Sequence, residues 1–265
     1  MPNKVKILVI GDIIGKGARN AFALFLPKLK EKYNYDIIAV NAENTTHGRG
    51  LNKKHYDFYM NLNIDVLTMG NHVLDNKEIL DYIDKTNNLV VPGNVNYEYE
   101  VLNAHKEAII EYKGYKIKFI NLLSIINNKD NLDITDPLDY FDEIYAKDQN
   151  SIYAIDFHAE MTMQKNTLGY YVDGKAALVY GTHTHVQTAD ERILPNKTAY
   201  ITDVGMCGSI DSVIGYDYKS FVDRHNKKTS TFVAKNGPYM VNGLFVEIDL
   251  DSKHATYIER INEKM

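Results

Sequence analysis

The sequence predicts an α/β protein, a large mixed-sheet sandwich with helices outside. Three observations carry that expectation. In the N-terminal half, short apolar runs such as KVKILVIGD alternate with helical patterns, as in parallel βαβ units. Further along, the runs pair across turn signals as antiparallel ribbons. The 265 residues, 45% hydrophobic and 25% charged, also suffice for a sizeable core. With no internal repeat or Pro/Gly/Ser-rich linker, a single domain over residues 1–265 is expected.

The elements follow in order. KVKILVIGD is a buried strand, and from Ala18 to Lys32 the positions Ala21, Phe22, Leu24, Phe25, Leu26 and Leu29 form a helical stripe. A second strand, Asp36–Val40, runs into NAENTTHGRG; a third, Asn63–Thr68, runs into GNH, with a helix expected over Asp75–Asp84. Glu98–Ile110 and Lys116–Leu123 straddle Tyr112-Lys113-Gly114 as a hairpin. A helix is expected over Pro137–Lys147, then strands at Ser151–Phe157, Ala176–Tyr180 and Thr198–Thr202. Tyr239–Leu250 and His254–Ile261 close the chain as an antiparallel pair.

Composition narrows the function. A net charge of −5 weighs against a dedicated nucleic-acid binder, and the cluster His225-Asn226-Lys227-Lys228 suits a solvated helix end. No apolar stretch approaches the roughly 18–20 residues of a membrane span, and the N-terminal run lacks a small-residue cleavage site. The single cysteine, Cys207, excludes an intramolecular disulfide, reads as an inert small residue and fits a reducing cytoplasm. GDIIGKG lacks the phosphate-loop spacing, and no G-x-S-x-G elbow is present.

Polar residues accumulate where the strands end. KILVIGD ends in Asp12, IIAVNAEN in Glu43-Asn44 and VLTMGNH in Asn71-His72; YAIDFHAE carries His158, and LVYGTHTH carries His183 and His185. Carboxyl ends of strands are where α/β sheets form ligand sites. Taken singly, each has a plain reading. Asp12 and Asn71 suit turns, His72 a solvated loop, Asp75 a helix N-cap and His47 a loop. His55, His105, His225 and His254 sit in contexts that ask for no function.

Jointly, they point to metal. Imidazole and carboxylate without thiolate suit Mn, Fe, Zn or Co, and the donors are too many for one tetrahedral ion. Two ions about 3.5–4 Å apart, sharing a carboxylate, account for the count. In an extended segment, i and i+2 point the same way, so both rings of the H-x-H step are expected to face one cluster.

GD, GNH, a later isolated histidine and G-x-H-x-H together resemble the calcineurin-like metallophosphoesterases. NAEN-x-x-HG-x-G, MGNH-x-x-D, DFHAE, GTHTHVQTAD-x-RILP and TAYITDVGM are similar to its YmdB-like bacterial branch, from near Val5 to near Arg260. The resemblance implies a four-layer α/β/β/α sandwich with two mixed β-sheets. It implies one metal held by Asp12, Glu43, Asn44 and His185, and a second held by Glu43, Asn71, His158 and His183. His72 would be the general acid. Many members of the wider group have histidine where this chain has Ile14, and Asn44 is the substitute donor. With an amide in place of an imidazole, iron or manganese is expected ahead of zinc. The implied reaction is hydrolysis of a cyclic nucleotide, the 2′,3′-cyclic type first, by hydroxide generated at the metals. A phosphodiesterase or nuclease on short RNA, a phosphomonoesterase and a metal-containing regulatory binding protein are the alternatives. No membrane partner is expected. Gly205–Gly215 suits either a loop over the site or an interface of a homo-oligomer.

Overall fold

Alternation along the first strand defines the layers. In β1 (Lys4–Ile10), Val5, Ile7 and Val9 join a central core, whereas Leu8 and Ile10 join an outer one. Successive side chains of a strand point to opposite faces, so burial on both sides produces a continuous apolar run. The computed structural model describes residues 3–126, 132–228 and 231–264.

After β2 (Asp12–Ile13), α1 (Gly15–Tyr33) turns Phe22, Phe25 and Leu29 onto the outer core. Next come β3 (Ile37–Asn41), α2 (Lys53–Asn61), β4 (Val66–Thr68), β5 (Leu89–Val90), β6 (Val95–Asn96) and α3 (Glu100–Asn103). β7 (Glu107–Tyr112) and β8 (Tyr115–Leu123) form the expected hairpin, turned by Lys113 and Gly114 at φ 51° and 83°. Positive φ at both central residues matches the right-handed strand twist. Then follow β9 (Asp133–Ile134), α4 (Pro137–Lys147), β10 (Ile152–His158), α5 (Thr162–Tyr171), β11 (Leu178–Thr182), β12 (Arg192–Ile193) and β13 (Ala199–Ile201). β14 (Met206–Ser209), α6 (Tyr218–His225), β15 (Tyr239–Asp249) and β16 (Ala255–Lys264) complete the chain.

The first sheet has the order β2-β14-β15-β1-β3-β4-β5, with β16 beside β15; β1 is parallel to β3 and antiparallel to β15. The second has the order β12-β13-β11-β10-β8-β7, with β10 parallel to both neighbours. Between the sheets, Ile7, Val9, Ile37 and Ala39 share a core with Ile117, Phe119, Ala154 and Tyr180. Outside the second sheet, Ile155, Phe157 and Tyr200 pack with Phe141 of α4 and Leu168 of α5. The result is the expected four-layer α/β/β/α sandwich with two mixed sheets.

Two local expectations change. Asp75–Asp84 is not one helix but three short 3-10 turns, Val73–Asp75, Lys77–Asp81 and Ile83–Lys85. Asn76 breaks the run: it is extended, and its side chain accepts from Glu78 N, the local competition that asparagine offers a helix. Glu98–Ile110 is likewise interrupted by α3, where Asn103 bonds both the N–H and the carbonyl of Tyr97.

Candidate active site

The eight strand-end residues meet at one edge of the sandwich. Asp12 follows β1, Glu43 and Asn44 follow β3, and Asn71 and His72 follow β4, all in the first sheet. The second sheet contributes His158 at the end of β10, and His183 and His185 just past β11. Two groupings form. His158 Nε2 lies 3.1 Å from Glu43 Oε1, 3.0 Å from Asn71 Oδ1 and 2.9 Å from His183 Nδ1. His185 Nε2 lies 3.2 Å from Asn44 Oδ1 and 3.8 Å from Asp12 Oδ1. The His183 N–H, 3.3 Å from Asp12 Oδ2, joins the two.

Close approach shapes the floor. A Cβ on Gly70 would fall 2.3 Å from Glu43 Oε2 and 2.6 Å from the His158 ring, so the glycine of GNH leaves room for both. Glu43 Oε2 also accepts from the His72 N–H at 3.0 Å.

Burial and charge oppose each other here. Burial pushes Asp12 up to about 7, although His185 and His158 pull it down. Burial would also raise Glu43, but the neighbouring His158, with His72 and His183, holds it well below the usual carboxylate range. His158, which burial alone would lower, is pushed up to about 9 by Glu43, Asp12 and Asp156. His183 falls to about 3, through burial and then the charge of His158.

The residues present fit metal ions. Donor atoms of Glu43, His158 and His183 all lie within 4.8 Å of one another. Asp12 Oδ1 is buried and, among the described residues, has no hydrogen-bond partner. An uncompensated buried carboxylate oxygen is costly, and a cation offsets that cost. The set contains no thiolate, as suits oxygen- and imidazole-binding cations. Ile14, at the non-coordinating position, is buried against Met206 and Tyr216.

The H-x-H step reaches this arrangement differently from expectation. β11 ends at Thr182, and His183 and His185 have φ of 96° and 63°. Such backbone is uncommon outside glycine and costs on the order of 1–3 kcal/mol per residue. The rings diverge: His183 Nε2 meets Glu160 Oε2 at 3.0 Å, and His185 Nδ1 meets the Ile214 carbonyl at 2.9 Å. Between them, Thr184 bonds Asp203 Oδ2 through N–H and hydroxyl, at 3.2 and 2.7 Å. Buried Lys165 holds the same oxygen at 2.6 Å and the Thr182 carbonyl at 2.8 Å.

Several partners escape the sequence pattern. Asp75 is not a helix cap: its Oδ2 accepts from His72 Nδ1 at 2.8 Å and from Arg49 at 3.4 Å. Its i+3 spacing in MGNH-x-x-D is the available signal. Glu160 and Asp156 flank His158 within DFHAE, and Asp203 lies within TAYITDVGM, whereas nothing in the sequence points to Lys165 or Tyr216. The Tyr216 ring lies 6.5 Å from that of His185, and its hydroxyl donates to the Gly48 carbonyl at 2.9 Å. His47 is an exposed loop residue, at φ 54°, beside a cavity of about 720 Å³ lined also by Lys16, Asn20, Phe232 and Tyr239. Cys207 is buried and free, its thiol pushed up by burial.

Carboxylate, amide and imidazole donors gather where the two sheets of this fold end, and the relatives that share it are named for phosphodiesterase and phosphatase activity, which makes the chain a hydrolase acting on phosphoric diester bonds. The chain belongs to the YmdB-like family, whose model, described as YmdB-like protein, matches residues 8–261. It is 40% identical over 267 residues to a 2′,3′-cyclic-nucleotide 2′-phosphodiesterase of Bacillus subtilis, covering 97% of this chain and 96% of that one. A crystal structure of a phosphatase from Mycoplasma pneumoniae superposes with a TM-score of 0.93 at 36% identity, covering 100% of this chain and 95% of the other. A hypothetical protein of Thermus thermophilus gives a TM-score of 0.88 at 29% identity, with coverages of 98% and 99%. No described helix is long and apolar enough to cross a membrane.

Proposed function

We propose that this chain is a dinuclear metal-dependent phosphodiesterase that hydrolyses cyclic nucleotides, the 2′,3′-cyclic type in particular. The observation that carries the reading is the pairing of the two donor groups, Glu43–Asn71–His158–His183 and Asp12–Asn44–His185, with His72 beside them. In this reading Asp12, Glu43, Asn44 and His185 hold one ion, and Glu43, Asn71, His158 and His183 the other. Amide donors at Asn44 and Asn71 favour iron or manganese over zinc. The name of the Bacillus subtilis relative supports the substrate class. The whole chain is read as one domain, since β15, late in the sequence, lies between β1 and β14.

Bound in these positions, the ions would supply a hydroxide nucleophile near neutral pH and neutralise charge on the phosphoryl oxygens. The chain's own residues do the rest. Asp75 holds His72 through Nδ1, which leaves Nε2 to carry a proton to the departing oxygen. Glu43 fixes the backbone of that same histidine through the His72 N–H. Lys165 and Asp203 keep the strained Thr182–His185 segment in place.

The test is release of product from 2′,3′-cyclic AMP, compared with a short oligoribonucleotide, under added Mn²⁺. Rapid turnover of the cyclic nucleotide is expected. Saturable binding without product would replace catalysis with a regulatory role, and faster cleavage of the oligonucleotide would move the substrate to RNA.

A further inference from the structure

Asp156 is fully buried near the end of β10, and the chemistry above gives it no task. Its Oδ2 accepts from Asn41 Nδ2 at 3.1 Å and from Thr68 Oγ1 at 2.5 Å, and its Oδ1 accepts from Thr182 Oγ1 at 2.6 Å. We infer that Asp156, acting through Thr182, is a positioning residue that fixes which nitrogen of His158 is protonated and so presents Nε2 as the metal donor. The inference rests on the reading of His158 as a metal ligand.

The number of hydrogens available fixes the direction of each bond. Three donors converge on Asp156, which therefore acts as an acceptor throughout. A threonine hydroxyl has a single hydrogen, and that of Thr182 is committed to Asp156 Oδ1. Its remaining lone pairs can only accept. His158 Nδ1, 2.8 Å from Thr182 Oγ1, is then the donor. A cation bound there displaces the Nε2 proton, and the neutral imidazole still protonated at Nδ1 has its lone pair at Nε2, the atom that faces Glu43 and Asn71.

The other two histidines need no such device. His185 Nδ1 faces the Ile214 carbonyl and His183 Nε2 faces Glu160, and both partners can only accept. The partner of His158 is a hydroxyl, which by itself works either way. Asp156 removes the ambiguity. Outward partners of this kind fix the tautomer of metal-binding histidines.

Asp156→Asn then has a specific consequence. The carboxamide has the same shape, and its oxygen must stay where Asn41 and Thr68 both donate. The NH₂ group is left against Thr182 Oγ1 and donates to it. The hydroxyl hydrogen turns toward His158 Nδ1, and the imidazole proton moves to Nε2, where it blocks the metal.

The experiment uses the full chain stripped of metal, with Zn²⁺ as a diamagnetic probe and affinity measured by competition with a chromophoric chelator. Asp156→Asn is expected to weaken Zn²⁺ binding by about 10–100-fold. Thr182→Val is expected to lose part of that, and Thr182→Ser to retain wild-type affinity. In the Thr182→Val background, Asp156→Asn should add no further loss. An equal loss in that background, or wild-type affinity in Asp156→Asn itself, overturns the relay. So does a ¹H–¹⁵N spectrum of the Zn²⁺-loaded wild type that places the His158 proton on Nε2. If circular dichroism shows that Asp156→Asn does not fold, the Ser–Val contrast at position 182 and that spectrum decide. Zn²⁺ bound by His158→Ala as tightly as by the wild type would instead sink the ligand reading.

Discussion

Asp75 Oδ2 and His72 Nδ1 lie 2.8 Å apart across one 3-10 turn, so the orientation of the histidine is set by the three residues that follow it. His72→Ala should therefore keep its metal and lose about 10²–10⁴ in turnover on diesters with poor leaving groups. The loss should shrink on activated nitrophenyl esters, where the departing oxygen needs no proton. Asp75→Asn should fall between the wild type and His72→Ala. Equal losses on both kinds of ester would remove His72 as the acid.

For Asp12 and His158 the proposed task is different. Alanine at either position should lower metal content itself, through the loss of a donor from an otherwise folded cluster. Elemental analysis of the purified variants checks this, and full occupancy in both would overturn the assignment.

Gly70 tests crowding beneath the site. Its φ is not in the left-handed region, so alanine there is acceptable to the backbone and meets only the lack of space. With a methyl group aimed at Glu43 Oε2 and the His158 ring, Gly70→Ala should lose about 1–3 kcal/mol of stability, as overpacking does, together with metal affinity. Thermal melts and metal titration report the two effects separately. An unchanged melting temperature would show that the floor yields.

His55 gives the loop 44–50 a dependence on pH. Thr46 Oγ1 accepts from the Asn52 N–H and lies 2.8 Å from His55 Nδ1, which ties the imidazole to the loop. Burial, then the charge of Arg19, lowers His55 to about 4, whereas an unfolded histidine titrates near about 6.5. Between those values the unfolded chain binds more protons, so stability present above about 6.5 is lost as pH falls toward 4. Melting temperature should drop more steeply over that window in the wild type than in His55→Gln. Parallel curves would count against the depressed titration.

Much of this is legible in the sequence because strand ends and donors coincide. The runs ending in Asp12, Glu43 and His158 are apolar on both faces, and the fold buries them on both faces. What the sequence does not express is backbone curvature and partnership at a distance. The spacing of His183 and His185 suggests an extended segment, yet both residues turn left-handed, because Asp203, 20 and 18 residues further on, anchors Thr184 between them. Asp75 looks like a cap because its partner, His72, precedes it, and Asn76 takes the capping role instead. α5 escapes the pattern since only a narrow stripe, Lys165, Leu168 and Gly169, is buried.

The division of the donors between the sheets has a consequence for how the molecule fails. Asp12, Glu43, Asn44 and Asn71 ride on one sheet, and His158, His183 and His185 on the other. A two-ion centre held by them would be a coincidence detector for the seam, since neither slab carries a working half. A slip between them of an ångström or two would silence the chemistry while each sheet kept its own hydrogen-bonded ladder. Inactivation should precede melting, and the ions would act as rivets across the joint.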